Sequence, residues 1–99
     1  MAQFDLYRNA DGKGFLLDVQ SDLLDRLQSR VVAPLISVAR FSTPIRHVNP
    51  VFIIDGTQFV MVAEFLGSVP VGELGDVKGN LAHRRDEIVR ALVTLLNGV

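Results

Sequence analysis

The sequence predicts an α+β domain in which an antiparallel sheet is completed by one C-terminal α-helix. Three observations carry this. Short runs rich in Val, Ile, Leu and Phe alternate with clusters of Gly, Pro, Asn and Asp, the pattern of strands and turns. Asp55-Gly56 stands between two such runs and is a preferred sequence for a two-residue type I′ hairpin turn. From Leu81 onward, Leu81, Ile88, Leu92 and Leu95 fall at helical spacing. Strands first and a helix last is the order of an α+β chain.

Taken in order, residues 3–8 put Phe4 and Leu6 on one face of a first strand. The turn cluster Asn9-Ala10-Asp11-Gly12-Lys13-Gly14 leads to a second strand at 15–20, giving an opening hairpin. Residues 21–29 hold Leu23, Leu24 and Leu27 among polar residues and read as a loop or a single turn. Residues 30–41 form the longest strand. Pro34 interrupts it and marks an edge or a bulge, because proline cannot donate to a ladder. A two-proline loop at 42–50 precedes the hairpin of 51–54 and 57–62. Residues 69–71 make one more short strand, and 72–79 a glycine-punctuated loop. Asn80 is placed to cap a helix over 81–97, and Gly98 occupies the position where glycine accepts the left-handed conformation. Residues 88–96 are apolar around nearly the whole helix. Such a helix must be covered on more than one side. The sheet supplies one cover, and a second copy of the chain is expected to supply the other.

Composition narrows the function classes. Ninety-nine residues, 48% of them hydrophobic and 21% charged, make a single domain over 1–99 with no room for a second core. Ten basic against eleven acidic residues give a net charge of −1, which argues against a free-standing nucleic-acid binder. The absence of cysteine removes disulfides, thiol nucleophiles and Cys-based metal sites, and fits a reducing, cytoplasmic location. The start, Met1-Ala2-Gln3-Phe4-Asp5, meets a charge before any apolar stretch develops. The apolar runs fall short of the ~18 residues a membrane helix needs, so no membrane partner is expected.

Groups that could carry chemistry are sparse. His47 and His83 are the only histidines, too few for a zinc cluster. His83 and Asp86, three apart, share a helical face, and a surface pair is the simplest account. Asp18, Asp22 and Asp25 alternate with apolar residues and read as a solvated loop edge. Arg84-Arg85 with Arg90 reads as a charged outer helix face. One tyrosine and no tryptophan leave few platforms for stacking bases. Gly72, Gly75 and Gly79 lack the lysine–serine pair of a phosphate loop.

Six segments, however, fall in a recognisable order: Gln3-Phe4-x-x-Tyr7, Asp18-Val19-Gln20-Ser21-Asp22, Val32-Ala33-Pro34-Leu35, Ser68-Val69-Pro70-Val71, Leu81-x-His83-Arg84 and the terminal Gly98-Val99. In that order and spacing the chain resembles the CcdB-type toxins of bacterial toxin–antitoxin pairs over essentially its whole length, with a slightly shorter first hairpin loop. The resemblance implies a barrel-like (SH3-like) antiparallel sheet of about five to seven strands with one C-terminal helix, assembled as a homodimer. It implies a DNA gyrase (topoisomerase) inhibitor that binds the gyrase A subunit and traps the cleaved complex. It further implies neutralisation by a cognate antitoxin, and operon repression in which the toxin meets DNA only through the antitoxin. Such a protein acts by binding: it is no enzyme, and has no catalytic residue, cofactor or metal.

Carried over position by position, the gyrase-contacting residues are Ser21, Leu23, Leu24, Leu96, Gly98 and Val99, with Asn97 where the family's best-known member has tryptophan. Tryptophan can stack on an arginine by cation–π attraction worth roughly 1–2 kcal/mol when desolvated, which asparagine cannot do. At 1.4 kcal/mol per decade, that weakens binding by about tenfold. Two other readings remain. One is an endoribonuclease toxin of the same fold, which needs a general base, a general acid and cations converging on a groove, with Asp22, His83 and Arg84 as candidates. The other is a member that keeps its dimer and antitoxin but has lost gyrase poisoning.

Overall fold

The computed structural model describes residues 2–41 and 43–98. Among them are seven strands: β1 (Asp5–Arg8), β2 (Phe15–Asp18), β3 (Ser29–Ser37), β4 (Val51–Ile54), β5 (Thr57–Met61), β6 (Gly67–Pro70) and β7 (Val77–Asn80). One α-helix, α1 (Arg85–Asn97), follows them. The strands form one curled antiparallel sheet in the order β4-β5-β3-β2-β1-β7, with β6 also paired to β3. This is the α+β architecture expected from the sequence. No helix among the described residues is long and apolar enough to cross a membrane.

The long strand β3 is the hub, and Pro34 shows how one strand serves three partners. One edge pairs with β2 from Phe15↔Leu35 to Asp18↔Val32. The other edge pairs with β6 over residues 29–32 and with β5 over 35–37. Pro34 sits at the changeover, and its carbonyl accepts the Val62 N–H at 2.9 Å. In an antiparallel strand the N–H and C=O of one residue point to the same edge. The missing N–H of Pro34 therefore faces the gap between two ladders, where no bond is lost. The β4–β5 hairpin turns as the sequence requires, with Asp55 at φ 51° and Gly56 at φ 79°.

Two expectations are corrected. Residues 72–79 are not wholly loop, because β7 pairs with β1 through Asp5↔Asn80, Leu6↔Gly79 and Tyr7↔Val77. Lys78, Gly79 and Asn80 are poor strand formers, so this edge strand is held by its partner rather than by its own propensity. The helix does not begin at Leu81. Ala82–Arg84 form a 3₁₀ turn, and α1 starts at Arg85. Asn80 Oδ1 accepts the Ala82 N–H at 2.7 Å, a local bond that leads into that turn, so Asn80 does not cap the α-helix.

Period-two alternation sorts the sheet into two covered faces. Leu6, Phe15, Leu17, Ala33, Leu35 and Met61 face the core shared with Ile88 and Ala91 of α1. Phe15 and Phe59 meet there edge to face, with centroids 5.2 Å apart. The opposite positions, Tyr7, Asp18, Arg30, Val32 and Val60, are also buried. Of the apolar helix, Ile88 and Ala91 are fully buried and Val89, Leu92 and Leu95 pack partly against the core, while Val93 and Leu96 stay exposed.

Gly14 fixes how closely the first hairpin approaches β3. A Cβ built there would lie 2.3 Å from the backbone oxygen of Leu35, whereas one at Gly72 would meet nothing within 4 Å. Overpacking of this kind costs about 1–3 kcal/mol. Gly14→Ala is expected to lower the unfolding free energy in urea by that amount, and Gly72→Ala to change it by less than about 0.5 kcal/mol, as for an ordinary surface substitution.

Candidate functional site

The turn after β2 shows a buried charge network under an exposed apolar tip. Arg30, whose side chain is 1% exposed, donates through Nε to Asp18 Oδ2 at 2.7 Å, and Asp18 is 0% exposed. Arg30 Nη2 also donates to the Gln20 carbonyl at 3.3 Å and lies 3.9 Å from Asp22 Oδ1. Gln20 completes the clamp. Its N–H donates to Asp18 Oδ1, its Nε2 to the Leu24 carbonyl at 2.9 Å, and its Oε1 accepts the Val31 N–H at 3.0 Å. The hydrogen bond to Asp18 holds the Arg30 pKa above its ordinary value. Burial, followed by the nearby Asp5 and Asp18, pushes the Tyr7 phenol up. The Tyr7 hydroxyl and Arg30 Nη1 are buried without a hydrogen-bond partner among the described residues.

Three of the residues expected to contact gyrase ride on this clamp. Ser21 Oγ accepts the Leu23 N–H at 3.1 Å and caps the 3₁₀ turn Asp22–Leu24. Leu23 is 92% exposed and Leu24 51%. An apolar side chain held in water by a rigid turn is a feature of recognition surfaces. The expectation that Asp18, Asp22 and Asp25 form one solvated edge is corrected: Asp22 and Asp25 are exposed, but Asp18 is the buried partner of Arg30. The clamp was missed in the sequence. Its signal was a charged residue in each of two otherwise apolar strand segments, Asp18 and Arg30, which is uncommon unless the charges meet.

The second group lies at the end of α1. Gly98 closes the helix at φ 73°, its N–H donating to the Thr94 carbonyl at 2.9 Å. Leu96 is 71% exposed, and Asn97 and Gly98 are exposed beside it. Val99 lies outside the described residues. The two groups are tied to opposite ends of the helix. Asp22 accepts the Gln3 N–H, and Gln3 Oε1 in turn accepts from Arg85, in the first turn of α1. Leu96 and Gly98 are at the far end, about 18 Å away at 1.5 Å per residue.

Of the residues considered for acid–base work, Asp22 and Arg84 are engaged with other partners. Arg84 Nη2 donates to Glu87 Oε2 at 2.7 Å, a second bond runs from Nε to Oε1, and the guanidinium lies 4.8 Å from the Phe52 ring centroid. The Arg84 hydrogen bond holds the Glu87 carboxyl below its ordinary value. Arg85 lies over Phe4 at 5.6 Å. Arg84 and Arg85 therefore cover core aromatics, a correction to their reading as a plain outer face. His83 and Asp86 make no bond to each other among the described residues; the i,i+3 pair is Arg84–Glu87. Asp22 is engaged with Gln3 and Arg30 instead of His83 or Arg84. No group of three His, Cys, Asp or Glu suited to a metal occurs among the described residues.

Comparisons with known proteins agree with this fold. The family model described as CcdB protein matches residues 3–98. A solved mycobacterial endoribonuclease in complex with its cognate antitoxin is similar, with a TM-score of 0.77 and 20% identity over 97% of this chain and 94% of that one. A second mycobacterial endoribonuclease structure has a TM-score of 0.76 and 21% identity over 97% of this chain and 90% of that one. At such identity the likeness is one of fold.

Breaking a buried ion pair by removing one partner costs about 3–5 kcal/mol, because the other charge is left uncompensated. Asp18→Asn and Arg30→Met are each expected to destabilise by roughly that amount in chemical denaturation. The double variant should recover a large part of the loss, giving a coupling energy that a thermodynamic cycle measures directly.

Proposed function

The chain belongs to the CcdB family, and from that premise we propose that it is the toxin of a type II toxin–antitoxin pair, acting by binding the A subunit of DNA gyrase and trapping the gyrase–DNA complex. The observation that carries the binding mode is Leu23, 92% exposed on a turn pinned from below by the Asp18–Arg30 pair. A turn already held in one conformation loses little entropy on docking. Ser21, Leu23 and Leu24 form one contact group, and Leu96, Asn97, Gly98 and Val99 the other. In this proposal a homodimer brings the tips of two helices together across a two-fold axis. The exposed Val93 and Leu96 supply apolar surface for that seam. A cognate antitoxin covers the toxin, releases gyrase, and carries the DNA-binding part of the complex that represses the operon.

Asn97 sets the strength of the effect. It cannot supply the stacking contact of a tryptophan, so gyrase binding is about tenfold weaker than in a tryptophan-bearing relative. A second reading, an endoribonuclease toxin, is favoured by the names of the two similar structures. It needs an acid–base pair at one scissile phosphate, and of the candidates Asp22 is bonded to Gln3 and Arg84 to Glu87.

A supercoiling assay with purified protein tests the gyrase reading. Leu23→Asp and deletion of 97–99 should each abolish inhibition while thermal melting stays nearly unchanged, and Asn97→Trp should strengthen inhibition by about tenfold. Truncated protein that melts normally and still inhibits gyrase would overturn it. Cleavage of a long RNA, lost in His83→Ala, would establish the nuclease instead. Sedimentation at micromolar concentration should give about twice the chain mass of 10.9 kDa; a clean monomer there removes the dimeric arrangement of the tips.

A further inference from the structure

The chain holds four asparagines, and three of them are fixed by their surroundings. Asn49, 4% exposed, accepts the Ile45 N–H at 2.9 Å and donates to the Met61 carbonyl at 3.1 Å and to Glu64 Oε1 at 2.8 Å. Pro50 follows it and has no N–H. Asn80 Nδ2 donates to the Gln3 carbonyl and to Asp5 Oδ1, and its Oδ1 accepts the Ala82 N–H. The next N–H, that of buried Leu81, is bonded to the Phe4 carbonyl. Asn9 donates its own N–H to the Gly14 carbonyl, its Oδ1 accepts the Asp11 N–H, and Ala10 follows it.

Asn97 differs in each respect. It is the last residue of α1, it is exposed, and its side-chain amide makes no hydrogen bond among the described residues. Gly98 follows it, and a Cβ built there would meet nothing within 4 Å, so the space beside that nitrogen is open. The Gly98 N–H is held by the Thr94 carbonyl at 2.9 Å, the bond that closes the helix. Helix ends open at little cost, because few contacts are lost with the final bond.

We propose that Asn97 is a self-modifying site, at which spontaneous deamidation is gated by the opening of the last turn of α1. With the Thr94 bond open, the Gly98 nitrogen can attack Cγ of Asn97. A bond forms between that nitrogen and Cγ, the Cγ–Nδ2 bond breaks, and Nδ2 leaves as ammonia with the proton that Gly98 gives up. Water then opens the cyclic imide at either carbonyl. One opening leaves aspartate, and the other leaves isoaspartate, in which the main chain runs through Cβ. Glycine permits the closure because no side chain screens its nitrogen or restricts its backbone. Both products carry a carboxylate at the negative end of the helix dipole, where it is repelled, so the turn closes less readily afterwards. The change is therefore one-way, and it places a new charge beside exposed Leu96. Asn97 belongs to a proposed gyrase contact group, but the modification is read from charge and sequence, so it does not depend on that reading.

The test ages the purified full chain in warm neutral buffer and follows it by isoelectric focusing and peptide mapping. A form with one added negative charge is expected to accumulate, with aspartate and isoaspartate both found at position 97 and ammonia released in equal amount. Asn97→Gln, whose longer side chain must close a larger and slower ring, should yield no such form over the same period. In the native protein the rate at Asn97 should lie within about tenfold of the rate in the urea-unfolded chain, the cost of opening one hydrogen bond. Asn80 in the same sample should stay intact until urea exposes it. Isomerisation at Asp11-Gly12 or Asp55-Gly56 leaves the net charge unchanged, so focusing reports deamidation and mapping assigns it. An acidic form that persists in Asn97→Gln would overturn the proposal, as would deamidation of Asn9 or Asn80 ahead of Asn97. Native protection of Asn97 as deep as that of Asn80 would overturn it too, because the last turn would then not open.

Discussion

The Asp18–Arg30 ion pair is the contact on which the rest of the exposed surface depends. Asp18 is the last residue of β2, and Arg30 the second of β3, so the pair closes the loop between two adjacent strands. The Asp18 carbonyl also accepts the Phe4 N–H, which ties the beginning of the chain to the same point. A buried pair is weak evidence for stability, since desolvation offsets much of the attraction. Its effect here is geometric. Arg30 reaches Asp18, Gln20 and Asp22 at once, and Gln20 reaches on to Leu24. Those bonds specify one conformation for a turn whose own side chains contribute almost nothing to the core.

How much of this was legible depended on whether the cause was local. Asp55-Gly56 needs two successive positive φ values, a local demand, so the hairpin could be read directly. Gly98 ended the helix for the same kind of reason. Pro34 signals an edge or a bulge by its missing donor, whereas the topology shows β3 paired on both sides and exchanging β6 for β5 at that point. The strand β7 was invisible because β1, more than seventy residues earlier, creates it. Asp18 was misread because burial of a carboxylate depends on a partner twelve residues away. The candidate site's half-buried Ser21 and exposed Leu23, Leu24 and Leu96 came from family resemblance, since nothing in composition separates a displayed leucine from a buried one.

The helix shows the same division between what a chain does alone and what it leaves open. Ile88 and Ala91 are wholly buried against the sheet, and Val89, Leu92 and Leu95 partly so. Val93 and Leu96 lie three apart, which places them on one face. That face is not covered by the sheet: Val93 is 39% exposed and Leu96 71%. Arg84 and Arg85 spread over Phe52 and Phe4 at the other end, where the sheet's aromatics would otherwise meet water. Charge thus shields apolar surface at the start of α1, while its end leaves apolar surface bare. The asymmetry is what a helix needs if its final turns are to meet another protein.

The buried polar residues reveal a common design. They are Asp5, Asp18, Gln20, Arg30 and Asn49. Asp5 accepts from Ala2 and from Asn80, so it joins the first residues to the junction between β7 and the helix. Asp18, Gln20 and Arg30 hold the turn that displays Leu23. Asn49 holds the loop that carries His47. Each buried polar group therefore anchors a segment outside the regular ladders, which is also how a buried polar atom finds its partners in a small core. A hydrophobic substitution at one of these sites would release the segment above it. Loops usually carry function because a rigid scaffold positions them. In this chain the scaffold reaches its loops through a few buried polar side chains, so conformational precision at the surface is set in the interior.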